Sequence, residues 1–139
     1  LTLKFLGEIE DGKLESVKKK LREVKFDKFD AVLDSVGNFG KGGNPRIVWV
    51  KVGGKGIFEL QKKVDEVLEN LGFKKEARFM SHMTIARVKY VKDAKGFKKY
   101  LDGLGLKNIR CTLDRFVLKE SELREIGPVY TDLEAYSSV

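Results

Sequence analysis

Cysteine, histidine and proline are scarce in this chain, and each scarcity removes a class of structure. The 139 residues include one cysteine, Cys111, one histidine, His82, and two prolines. A lone cysteine excludes an intramolecular disulfide, and one cysteine with one histidine supplies no zinc cluster. A reducing cytosol is the simplest setting for such a chain, and no secretory or transit signal is visible. Hydrophobic residues make up 42% of the sequence, yet no apolar run approaches the roughly 18 residues needed to span a membrane. A cytoplasmic protein without a membrane partner is therefore expected. The length suits one substantial core and is short for two ordinary domains.

Acidic residues are outnumbered. Lys and Arg total 28 against 21 Asp and Glu, a net charge of +7, which favours phosphate-rich ligands over acidic or neutral ones. The densest basic runs, Lys18-Lys19-Lys20-Leu21-Arg22 and Lys92 through Lys99, fall on amphipathic helical patterns, where they read as solvated outer faces.

Periodicity predicts alternating strands and helices. Residues 1 to 8 read as a strand, and Leu14, Val17, Leu21 and Val24 recur at helical spacing. Phe29 to Val36 alternates as a second strand, Gly37 to Asn44 reads as a mobile glycine-rich hairpin loop, and Arg46 to Val52 as a third strand. The loop lacks the Gly-Lys-Ser/Thr ending and following helix of a nucleotide-binding phosphate loop. Leu60, Val64, Val67, Leu68 and Leu71 mark a helix stopped by Gly72. After a strand at His82 come a helix near Asp93 to Leu104, a long strand from Ile109 to Lys119 and a last strand from Val129 to Tyr136. The hairpins imply antiparallel pairing. The expected fold is α+β and bilobed, with two pseudo-symmetric antiparallel sheets lining a central groove and helices outside.

The candidate chemistry lies on strands. Leu1-Thr2-Leu3 aligns with Met83-Thr84-Ile85, the second copy being preceded by His82. Side chains two apart on a strand share a face, so His82 and Thr84 are expected to project together while Met83 and Ile85, like Leu3 and Phe5, turn to the core. Lys4 shares the parity of Thr2. Imidazole, with a reference pKa of about 6.5, can accept or give a proton near neutrality, and a threonine hydroxyl can donate to a phosphoryl oxygen. In-line displacement at phosphorus needs a base for the attacking oxygen and an acid for the departing one; two facing His-x-Thr strands meet that need without a metal. Strict alternation puts Arg87 on the face opposite His82, and only a bulge or strand end brings it round.

The His82-x-Thr84 motif, the Leu1-to-Gly7 segment, Asn44-Pro45-Arg46-Ile47-Val48-Trp49-Val50 after Gly37-Asn38-Phe39-Gly40, and Leu118 to Leu123 followed by Gly127-Pro128-Val129-Tyr130 together resemble the two-histidine phosphoesterase superfamily. The likeness is to its 2′-5′ RNA ligase-like proteins, the RNA 2′,3′-cyclic phosphodiesterases. It spans nearly the whole chain. In that family a histidine immediately precedes the residue numbered 1 here, with a strand and helix ahead of it. The resemblance thus implies one domain over residues 1–139 lacking those elements and the first histidine, with impaired activity as a consequence.

The resemblance further implies an enzyme that opens a terminal RNA 2′,3′-cyclic phosphate to a 2′-phosphate. The reverse reaction would join 2′-5′ ends. His82 would be the proton acceptor, Thr84 and Thr2 would hold the non-bridging oxygens, and Arg87 would bind substrate. No cofactor or metal is implied; the expected partners are RNA ends, tRNA fragments among them, and the expected state is monomeric. Phe39, Trp49 and Tyr130 are candidate base-stacking rings, with core or groove-wall packing the more ordinary role. A noncatalytic RNA-end-binding module is the alternative reading. A basic α+β scaffold with accidental motifs is a further one.

Overall fold

The computed structural model describes residues 1–139. Three helices and six strands run in the order α1 (Asp11–Leu21), β1 (Phe29–Lys41), β2 (Asn44–Gly53), α2 (Lys55–Glu69), β3 (His82–Arg87), α3 (Ala94–Asp102), β4 (Ile109–Leu113), β5 (Arg115–Arg124) and β6 (Gly127–Ser137). Two antiparallel sheets result, one of four strands ordered β3-β2-β1-β4 and one of two, β5-β6. The α+β class with two antiparallel sheets is as the sequence implied, and the sheets are unequal in size.

β2 explains how the larger sheet is seated. Its Val48, Val50 and Val52 are buried while Arg46 and Lys51 are exposed, the alternation of a strand with one face in the core. α2 packs on β1 and buries Ile57, Leu60, Val64 and Leu68 at helical spacing. Its end is closed at Gly72, which takes φ +83°, with the Phe73 N–H donating back to the Leu68 carbonyl (3.3 Å). α3 is capped by Asp93, whose carboxylate accepts from the Gly96 N–H (3.0 Å). The main core joins α1, α2 and the β5-β6 ribbon through Val17, Leu21, Leu60, Val64, Leu68, Phe116, Leu118 and Tyr136. Phe116 and Tyr136 stack at 4.7 Å within it, and the Arg22 guanidinium grips Glu134 with two bonds (2.6 and 2.8 Å), tying α1 to β6. The Lys18–Lys20 run is an outer face, as expected: Lys18 and Lys20 pair with Glu15 and Glu23 on the same helix.

Three sequence expectations are corrected. Residues 1 to 8 form no strand; this segment packs Leu3, Leu6 and Ile9 on the main core and leaves Phe5 82% exposed. Residues 37 to 44 are mostly strand rather than loop, because β1 and β2 stay paired as far as Lys41 and Asn44. Only Gly42 and Gly43 turn, at φ +60° and +79°, the left-handed pair that a tight two-residue hairpin requires. The single long strand expected over 109–119 is two strands in different sheets, parted at Asp114. The apolar parity changes there, from Ile109, Cys111 and Leu113 to the buried Phe116 and Leu118, across the polar pair Asp114-Arg115.

Candidate active site

β3 is an edge strand held only by β2, and its register sets the site. Lys51 lies opposite His82, Val50 opposite Met83 and Trp49 opposite Thr84; then Val48 pairs with Ala86 and Ile47 with Arg87. Ile85 is the unpaired extra residue. Directly opposed residues of a ladder share a face, so His82 and Thr84 lie on the Trp49 face, away from the buried Val48, Val50 and Val52. The bulge at Ile85 then reverses the alternation and brings Arg87, opposite Ile47, to that same face. Strict alternation failed for Arg87 for this reason. The expected burial of Ile85 fails with it: Ile85 is 53% exposed, while Met83 is half-buried.

His82 is held by its surroundings. Its Nδ1 lies 2.8 Å from the Met80 carbonyl oxygen, an acceptor, so Nδ1 carries a proton and, in the neutral ring, Nε2 presents the lone pair. The ring meets Phe39 edge-on at 5.3 Å and Trp49 at 6.1 Å, and Phe39 and Trp49 are themselves 5.3 Å apart. The indole lies over Gly37, its partner in register: a Cβ at Gly37 would fall 2.2 Å from the Trp49 ring. Trp49 Nε1 is buried without a partner. Phe39 and Trp49 thus form the wall behind His82, while Tyr130 lies exposed on β6 of the other sheet.

Thr2 sits on the irregular first segment, exposed and outside both sheets. Lys4, which shares its parity, points inward. Its ammonium pairs with Asp65 of α2, the two side chains being only 5% and 6% exposed, and donates to the Lys74 carbonyl at 2.6 Å. Asp65 also accepts from Gln61 Nε2 (2.8 Å) and the Glu76 N–H (2.9 Å). Burial pushes the Asp65 carboxyl upward, but the bonds from Lys4, Glu76 and Gln61 outweigh it and hold the group below its ordinary value. The sequence signalled neither this pair nor the placement of Lys51 opposite His82, although the Ile47, Trp49, Lys51 parity marks Lys51 as a neighbour of Trp49. No group of three or more His, Cys, Asp or Glu side chains is arranged to hold a metal ion.

A histidine, a hydroxyl and a guanidinium thus share one face of an antiparallel sheet, side-chain types able to exchange a proton and bind an anion. The family model described as "LigT like Phosphoesterase" matches residues 1–49 and 50–130, and the chain belongs to that family. A protein of Archaeoglobus fulgidus named RNA 2′,3′-cyclic phosphodiesterase is 36% identical over 98% of this chain and 77% of its own. One of the same name from Aeropyrum pernix is 32% identical over 96% and 78%. A crystal structure from Thermus thermophilus superposes with a TM-score of 0.82 at 27% identity, over 99% of this chain and 76% of that one. No helix is long and apolar enough to cross a membrane.

Proposed function

We propose that this protein is an RNA 2′,3′-cyclic phosphodiesterase whose base is His82. The observation that carries the reading is the Nδ1 bond to Met80, which leaves Nε2 free to take a proton on the face shared with Thr84 and Arg87. In the reaction, Nε2 removes a proton from water as its oxygen attacks phosphorus. The bond from phosphorus to the 3′ oxygen breaks in line, the 3′ oxygen takes a proton from an acid across the groove, and a 2′-phosphate remains. The family resemblance supports a second histidine as that acid. Thr84 donates to a non-bridging oxygen where negative charge accumulates, Arg87 binds the phosphate through its planar fork, and Thr2 serves the opposite side. The same steps with a 5′-hydroxyl in place of water join the cyclic phosphate to that hydroxyl in a 2′-5′ linkage, the 3′ oxygen again leaving with a proton. The relatives' shared name supports the phosphodiesterase reading; tRNA fragments as substrates, a cytoplasmic setting and a monomeric state are further parts of the proposal.

The test is hydrolysis of a short RNA ending in a 2′,3′-cyclic phosphate, in EDTA, by the protein and by His82→Ala. The expected result is release of a 2′-phosphate that falls by about 10²–10⁴ in the variant. Equal rates with and without the imidazole would remove His82 from the mechanism. RNA binding without any turnover would make the protein an RNA-end-binding module instead.

A further inference from the structure

One cation on the His82 face is left without a role in this reaction. Lys51 is the register partner of His82, is exposed, and joins none of the ion pairs in the protein. The Asp34 carboxylate approaches Gly53, further along the same face of β2, but accepts from the Ser35 hydroxyl (2.9 Å) and not from Lys51.

The face is a row of three cross-strand pairs: Lys51 with His82, Trp49 with Thr84, Ile47 with Arg87. Four residues separate Lys51 from Ile47 on β2, about 13 Å at roughly 3.3 Å per residue. The two cations therefore stand at opposite ends of the row, with the Thr84 hydroxyl between them and the proposed acceptor, His82, across from Lys51. Arg87 lies on the Thr84 side and its fork suits the oxygens of a terminal phosphate. Lys51 is a compact point charge on a flexible stem, which suits a second anion passing alongside. RNA carries one negative charge per nucleotide, so a chain anchored at the terminal phosphate offers the next charge nearby.

We propose that Lys51 binds the phosphodiester joining the terminal nucleotide to the one before it, which makes the site selective for an oligonucleotide end over a free cyclic mononucleotide. This rests on the function proposed above. The protein contains a single tryptophan, Trp49, and its position next to Lys51 on the same face of β2, 6.1 Å from the His82 ring, makes it a built-in reporter of binding.

The experiment titrates wild type and Lys51→Gln with a dinucleotide ending in a 2′-phosphate and with a nucleoside 2′-phosphate, following Trp49 fluorescence with calorimetry in parallel. The expected result is a several-fold loss of dinucleotide affinity in Lys51→Gln and unchanged nucleoside affinity. The slope of log affinity against log salt for the dinucleotide falls by about 0.7, as for one lost contact to a single strand. Lys51→Arg retains the preference. Equal loss for both ligands would put Lys51 on the terminal phosphate, and no loss for either would deny it a role; both overturn the proposal. If wild type binds neither ligand, the phosphodiesterase reading itself falls, an outcome distinct from Lys51-independent binding.

Discussion

Replacing Asp65 with alanine tests how the first motif segment is held. The change removes the acceptor of three donors at once: the Lys4 ammonium, the Gln61 amide and the Glu76 N–H. Lys4, 5% exposed in its side chain, is left as a buried charge with only the Lys74 carbonyl. Breaking a buried pair from one side costs about 3–5 kcal/mol, a large share of the roughly 5–15 kcal/mol that holds a domain together. Residues 1 to 9 lie outside both sheets, so this segment can detach and let Lys4 reach water, which caps the cost at the packing of Leu3, Leu6 and Ile9. The expected loss is therefore about 3 kcal/mol, the lower end of that range, with early amide exchange confined to the first segment.

Urea unfolding with hydrogen exchange reads both quantities. The paired replacement Lys4→Met with Asp65→Leu should recover most of the loss, since an apolar pair removes the stranded charge. A loss below about 1 kcal/mol for Asp65→Ala, in the range of an exposed pair, would refute the account. Acid gives an independent check. Because the folded state holds the Asp65 carboxyl below its ordinary value of 3.8, the unfolded chain binds the proton first as pH falls. The stabilisation is present above about pH 4 and is lost as pH falls through the depressed folded value. Wild type should lose stability over that acid window, and the Met/Leu double variant should lose less.

Gly37→Ala places a methyl against the Trp49 ring and should cost about 1–3 kcal/mol by overpacking, with a shift of the single tryptophan's emission; an unchanged spectrum would show that the indole does not lie on Gly37. Tyr136 has its hydroxyl buried without a partner, and burial together with the Glu134 carboxylate pushes its pKa up to about 12. The unfolded chain loses that proton first as pH rises, so stability should fall between about pH 10 and 12; Tyr136→Phe should be near neutral at pH 7 and less sensitive to alkali in thermal melts. Arg87→Ala should lower kcat/KM on the cyclic-phosphate RNA by about 10–100-fold, the worth of a charge-assisted contact, with no comparable loss of thermal stability, because Arg87 is exposed. Loss of stability without loss of activity would show that Arg87 packs rather than binds.

Much of the fold was legible because burial imposes period. The helices at Leu60 to Leu71 and Asp93 to Leu104, the strand at Arg46 to Val52 and the pairing of His82 with Thr84 all follow from which residues must leave water together, and the family followed from motifs in order. Local pattern could not report pairing partners. The Gly37–Asn44 stretch looked like a loop because glycine has low strand propensity, yet Gly37 is needed so that Trp49 can lie on the sheet. Leu1–Glu8 alternates like a strand and is not one. Its Lys4 meets Asp65, a residue 61 positions away, and no sequence period marks a contact of that separation.

The face on which Arg87 lies shows the division most clearly. The sequence determined that a histidine, a threonine and an arginine stand within six residues and that the first two share a face, because both statements depend only on chain spacing. Whether Arg87 joins them depends on one extra residue in the ladder with β2, and a bulge is a property of two strands in register. The same holds for Lys51, which is 31 positions from His82 in the chain and beside it in the sheet. Tertiary structure decided both, since hydrogen bonding between strands sets the register and register sets which side chains share a surface.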